Sequence, residues 1–134
     1  MKVTLSARLV DGIRAAARDA FPAECCGLLE GTRDGDGFRV MTVHPAHNLA
    51  GSLDRFEIDP ADHFAALKAA RAAGHTIVGC YHSHPNGKAQ PSAIDLAGAG
   101  EDNFLWLIAS KDALAAFVYL GGGFTGADWV TSSE

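Results

Sequence analysis

Residues 76–84, TIVGCYHSH, place the tightest constraint on how this chain folds. Successive side chains of an extended segment point to opposite faces, so this run is apolar on both. A strand of that kind is buried on both sides and belongs in the middle of a sheet. The residues before it, DPADHFAALKAARAAG (59–74), carry helix punctuation: Asp59 as cap, Pro60 at the first position and Gly74 as stop. A helix running into a covered strand predicts a mixed α/β (α+β) fold around one sheet.

The rest of the chain reads in the same terms. In residues 5–21, Leu5, Leu9, Ile13, Ala16 or Ala17, and Ala20 share one helical face, and Pro22 closes the helix. CCGLLEGT (25–32) and FRVMTVH (38–44) form a predicted hairpin around Gly35 and Gly37. Residues 44–54 read as a loop and RFEI (55–58) as a short strand. SAIDLAGAG (92–100) opens a helix. Residues 103–110 and 113–120 are two strands joined at Lys111 and Asp112, with Phe104, Trp106 and Leu107 in the core. FTGADWV (124–130) is expected to add a last edge strand. No repeat or linker interrupts the 134 residues, so the expectation is one domain spanning 1–134.

Charge and cysteines narrow the function. The net charge is −5 and the basic residues are scattered, whereas a nucleic-acid binder presents a basic stripe. No apolar run is long enough to span a bilayer, and the Met1–Lys2 start does not lead into a signal-peptide core. Three cysteines, two of them adjacent at Cys25 and Cys26, make no disulfide framework. A reducing cytoplasm is the simplest setting.

The polar residues concentrate in HSHPNGKAQPSAID, 82–95. Positions i and i+2 of a strand share a face, so His82 and His84 project together while Ser83 faces away. Asp95, one turn into the next helix, is placed to return as a third ligand. Two histidines and a carboxylate suit zinc, which in catalytic sites keeps three protein ligands and an open position for water. Ser92 is also a natural N-cap for the helix that carries Asp95. The two roles are compatible, since the cap decides where Asp95 points. A proton carrier is still required beside such a water. Glu24, after Pro22 at the mouth of the CCGLL strand, is one candidate; Glu30, Glu57 and Glu101 compete on local grounds. His44 and His47 flank a loop proline, His63 and His75 sit on or at the end of a helix, and all four read as surface residues.

PAECCGLLEG followed by GCYHSHPNGKAQPSAID resembles the JAMM (MPN-type) zinc metalloprotease signature, a glutamate and then His-X-His-X7-Ser-X2-Asp. His82, His84, Ser92 and Asp95 match its spacing, and Glu24 lies in the matching Pro-X-Glu-X-Cys-Gly-Leu context. The resemblance implies a cytidine-deaminase-like MPN domain with a curved mixed β-sheet flanked by helices. It implies that His82, His84 and Asp95 bind Zn2+, that Glu24 moves the proton, and that Ser92 stabilises the oxyanion. The cysteines lack the Pro-Cys-X2-Cys ligand pattern of base deaminases, so deamination is not expected.

The segment HNLAGSLDRFEIDP (47–60) is similar to small prokaryotic members that process ubiquitin-like sulfur carriers. The expected partner is therefore a ubiquitin-like or sulfur-carrier protein ending in Gly-Gly, its tail extended along a sheet edge. A cysteine, a peptide or a lysine side chain would be the leaving group. Two other readings use the same residues: a zinc amidase on a small metabolite, and a noncatalytic protein-binding module.

Overall fold

The computed structural model describes residues 1–132. It opens with a strand where the sequence predicts helix: β1 (Lys2–Ser6) precedes α1 (Ala7–Ala20). Ser6 ends the strand and caps the helix, its Oγ accepting the Leu9 N–H at 3.2 Å. Leu5 is thus a strand residue. The face of α1 that meets the core is Val10 and Ile13, with Leu9 and Ala17 half-buried beside them. β1 was illegible locally because its partners lie in distant parts of the chain. It pairs in parallel with β3 (Gly37–Ala46) and with β7 (Gly123–Ser132).

β2 (Cys26–Asp34) and β3 form the expected hairpin, turning at Gly35, whose φ of 64° suits glycine. α2 (Pro60–Ala72) has Asp59 as its cap and Pro60 inside its start. β4 (Thr76–Ser83) is central, antiparallel to β2 and parallel to β5 (Phe104–Ala109). α3 (Ala93–Gly98) connects these two strands, and β6 (Leu114–Leu120) follows β5 as a hairpin.

The sheet order is β1-β3-β2-β4-β5-β6-β7, and it closes into a barrel. The expectation of a terminal edge strand is therefore corrected. β7 pairs with β6 through Gly123–Ala127 and with β1 through Asp128–Ser132, so it closes the sheet. The expected strand at 55–58 is also absent; there is only an isolated bridge between Asn48 and Ile58.

Two clusters of buried side chains cover the two faces of β4. Val78 and Tyr81 join Val3, Leu5, Ile13 and Leu107 on one side. Ile77 and Cys80 join Ala66, Ala70 and Trp106 on the other, under α2. The odd spacing comes from a register shift opposite Leu29 and Glu30, which inserts Val78 as a bulge. Beyond it the alternation resumes, so His82 and His84 come out on the Trp106 side. Gly79 sits next to the bulge, and a Cβ there would run into the Leu105 carbonyl, so β4 and β5 could not approach as they do.

Glu30, buried in β2, accepts from His44 Nε2–H at 2.7 Å and from His75 Nδ1–H at 2.6 Å. Neither histidine is the free surface residue expected: His44 lies in β3 and His75 just before β4, and both are half-buried. Burial pushes the Glu30 carboxyl up, but the bonds from His75 and His44 outweigh it and hold it below the ordinary glutamate value. A depressed carboxyl stabilises the fold above the unfolded value of about 4.3, and the contribution is lost as pH falls through the lowered folded value. Glu30→Gln should destabilise the protein at pH 7 by about 1–3 kcal/mol. The gap to wild type should narrow as pH falls below the unfolded value of about 4.3 and close below the lowered folded value, where the native carboxyl is also neutral. Urea melts of both proteins across that range check it; a gap that stayed constant would sink the assignment.

Candidate functional site

The five polar residues singled out in the sequence converge at the carboxyl end of β4. His82 and His84 leave the strand on one face, and their Nε2 atoms stand 2.9 Å apart. Asp95 Oδ2 lies 3.1 Å from each. Asp95 reaches them because α3 begins with a capping box. Ser92 Oγ accepts the Asp95 N–H at 3.0 Å, and Asp95 Oδ2 accepts the Ser92 N–H at 2.9 Å. Ser92 is therefore the cap the sequence predicts. Its hydroxyl accepts in that role and keeps one proton to donate.

Glu24 arrives from the other side of the sheet pairing. Cys26 is opposite His82 in the β2–β4 register, so the residue two positions before it is carried to the same end of the barrel. One carboxylate oxygen of Glu24 and one ring nitrogen each of His82 and His84 lie within 4.8 Å of one another. Glu24 is buried, and its Oε1 has no hydrogen-bond partner within the chain. The other buried side-chain atom without one, among the described residues, is His82 Nδ1. Of the competing glutamates, Glu30 is committed to His44 and His75, while Glu57 and Glu101 are exposed.

Sequence reading missed Phe56. It stacks on the His82 ring with centroids 4.4 Å apart and planes 23° apart, while Trp106 meets the same imidazole edge-on at 5.7 Å. No local signal marks Phe56, because the loop carrying it folds back over β4 only in the tertiary structure. Open grooves flank the cluster. One, of about 590 Å³, runs from Ser83 and His84 to Arg14, Arg18, Phe21 and Lys111. Another, of about 440 Å³, runs from Ser92 to Leu96, Phe117 and Phe124.

The charges follow from this packing. Burial pulls His82 below the ordinary histidine value, against the pull of Asp95. Burial also works against a charge on His84, but Asp95 and the Lys88 carbonyl outweigh it, and His84 is held above that value. His84 Nδ1–H donates to Lys88 O at 3.0 Å, which leaves Nε2 as the lone-pair nitrogen in the neutral ring. Burial raises Asp95, but the two histidines and the Ser92 N–H reverse this and hold the carboxylate ionised. Two imidazole nitrogens and one carboxylate oxygen in mutual contact are a donor set for a divalent metal.

Residues 6–120 match the Prok-JAB family, prokaryotic homologs of the JAB domain, and the chain belongs to that family of JAMM/MPN-type proteins. Among its relatives, the desampylase of Haloferax volcanii is 36% identical over 129 residues, covering 92% of this chain and 91% of that one. A probable TtuB-protein conjugate cleaving protease of Thermus thermophilus is 33% identical over 111 residues, covering 82% of this chain and 71% of that one. The solution structure of a Desulfitobacterium hafniense protein superposes with a TM-score of 0.90 at 34% identity, over 98% of this chain and 94% of that one.

Glu24 is the carboxyl of this site that is shifted upward. Burial pushes its carboxyl up to about 7, Asp95 adds to the rise, and His84 pulls against it. The folded state then holds this proton more tightly than the unfolded chain, so metal-free protein loses stability as pH rises toward that value. Carboxyl-carbon NMR of the metal-free protein should show Glu24 titrating near 7. Titration at the ordinary glutamate value of about 4.3 would mean that water reaches the carboxylate.

Proposed function

We propose that this chain is a zinc-dependent peptidase or isopeptidase that hydrolyses the amide bond after the C-terminal Gly-Gly of a ubiquitin-like or sulfur-carrier protein. The observation that carries the reading is the donor triangle of His82, His84 and Asp95 with a buried, unpartnered Glu24 oxygen beside it. Donors bound tetrahedrally to one zinc at about 2.0–2.1 Å stand about 3.3 Å apart. The separations here, 2.9, 3.1 and 3.1 Å, are a little closer, so the residues fit the ion with a slight spreading.

His82, His84 and Asp95 would hold the zinc. When bound, it supplies Lewis acidity, polarising the scissile carbonyl and acidifying a water. Glu24 takes the proton of the attacking water and passes it to the departing amine; a carboxyl tuned near 7 suits both steps. Ser92 Oγ–H, free after its capping bond, donates to the carbonyl oxygen as negative charge builds there. Asp95 keeps the triangle anionic, and Phe56 and Trp106 keep water from the back of the His82 ring.

Substrate class rests on the names of the relatives and on the resemblance of residues 47–60. For an extended tail, β3 offers a strand edge. Among the described residues it pairs with β1 only at Phe38 and Arg39, which leaves its Met41–Ala46 stretch with an unpaired side running toward Cys26 and the site. By the same reading the architecture is cytidine-deaminase-like, with the site where a central strand gives way to a helix. The free Cys25, Cys26 and Cys80 suit a reducing cytoplasm, and no helix among the described residues is long and apolar enough to cross a membrane.

Purified protein should carry about one zinc per chain, and His82→Ala or His84→Ala should lose most of it by metal analysis. Full occupancy in both variants would refute the ligand set. Glu24→Gln should retain zinc and fold yet cleave a Gly-Gly carrier extended by a few residues about 10²- to 10⁴-fold more slowly, with products read by mass spectrometry. Cleavage at the wild-type rate by the zinc-loaded variant would remove Glu24 from the mechanism.

A further inference from the structure

Asn48 lies outside the His-X-His run and its partners, half-buried at the start of the loop that carries Phe56. Its side-chain amide is spent entirely on main chain. Nδ2–H donates to the Glu24 carbonyl at 3.1 Å and to the Arg55 carbonyl at 3.3 Å. Oδ1 accepts from Ala50 N–H and from Glu57 N–H, both at 2.9 Å. Two donors meet two carbonyls and the oxygen meets two N–H groups, so the orientation of the amide is unambiguous and its capacity is filled.

Three of those contacts close the loop on itself. Leu49 N–H to the Glu57 carbonyl at 2.8 Å and Asp59 N–H to the His47 carbonyl at 3.0 Å complete the closure. The fourth contact leaves the loop and reaches Glu24. It matters because Glu24 Oε1 has no partner in the chain to hold the side chain in place. The position of that carboxylate is then set by its main chain. On the far side of Glu24, Ser83 Oγ accepts the Cys25 N–H at 2.8 Å, and Ser83 N–H donates to the Cys25 carbonyl at 3.2 Å. On the near side the Glu24 carbonyl is held by Asn48.

We infer that Asn48 is a positioning residue: it ties the 47–58 loop to the main chain of Glu24 and so holds the Glu24 carboxylate against His82 and His84. Within the loop the same amide bonds the Arg55 carbonyl and the Glu57 N–H, the main-chain groups on either side of Phe56. This inference rests on the reading that Glu24 moves the proton.

A double-mutant cycle tests it with the zinc-loaded full chain and a Gly-Gly-extended carrier. Asn48→Ala should lower kcat by about 10- to 100-fold, the scale expected for slight misplacement of a catalytic group, with zinc content kept and KM little changed. In a Glu24→Gln background, followed by single turnovers over hours, Asn48→Ala should cost nothing more, because the two act as one unit. Asn48→Asp keeps the two bonds its oxygen accepts inside the loop but loses both donors, and should lose kcat at least as far while remaining folded. The same fold-loss from Asn48→Ala in both backgrounds would overturn the inference while leaving Glu24 as proton carrier, as would wild-type kcat in Asn48→Asp. A fully active Glu24→Gln would instead overturn the underlying reading.

Discussion

The antiparallel register between β2 and β4 is the constraint on which the site depends. It sets Cys26 opposite His82 and Gly27 opposite Tyr81. The second pair locks the first: a Cβ on Gly27 would occupy the space of the Tyr81 ring, so the large side chain has room only beside the residue that has none. A slip by one residue would turn every side chain of β2 to the other face and carry Glu24 away from the histidines. The Ser83 bonds to Cys25 close the ladder at the point where Glu24 leaves it.

Two glutamates near one strand show what burial alone does and what partners change. Glu30, within β2, is buried between two imidazoles and is held acidic. Glu24, just before β2, is buried with an oxygen that no group in the chain bonds, and its carboxyl is pushed up to about 7. Desolvation is the largest influence on both; hydrogen bonding decides the sign. In the proposed mechanism, a fold that satisfies one buried carboxylate twice and leaves the other to its neighbours' charges keeps the second available for proton transfer. The Asn48 amide extends the same division, since it spends all its bonds on placing main chain.

Elements whose signals are local were legible. The Asp59–Pro60–Gly74 punctuation marked α2 to within two residues, and Ser92 and Asp95 marked the capping box of α3. The hairpin of β2 and β3 followed from its glycine turn. Elements defined by distant partners were not. β1 is five residues long and exists because β3 and β7 accept it, and β7 reads as an edge until β1 closes the sheet on it. The bulge at Val78 had no sequence marker, although it decides which face of β4 carries Ile77 together with His82.

By itself the sequence determined the donor types and their local geometry. Two histidines at i and i+2 must share a strand face, and Ser92 must start the helix that turns Asp95 back, since both follow from backbone periodicity and capping. Local chemistry left Glu24, Glu30, Glu57 and Glu101 level, and only the resemblance singled out Glu24. That Glu24 is the one buried with an unpartnered oxygen at the end of β4 is decided by the tertiary structure, because burial depends on the whole sheet. Only the tertiary structure seated Phe56 on His82 and Asn48 on Glu24, contacts made by a loop that lies between β3 and α2 in sequence. Periodicity reaches a few residues along a chain; burial and pairing across a closed sheet depend on all of it.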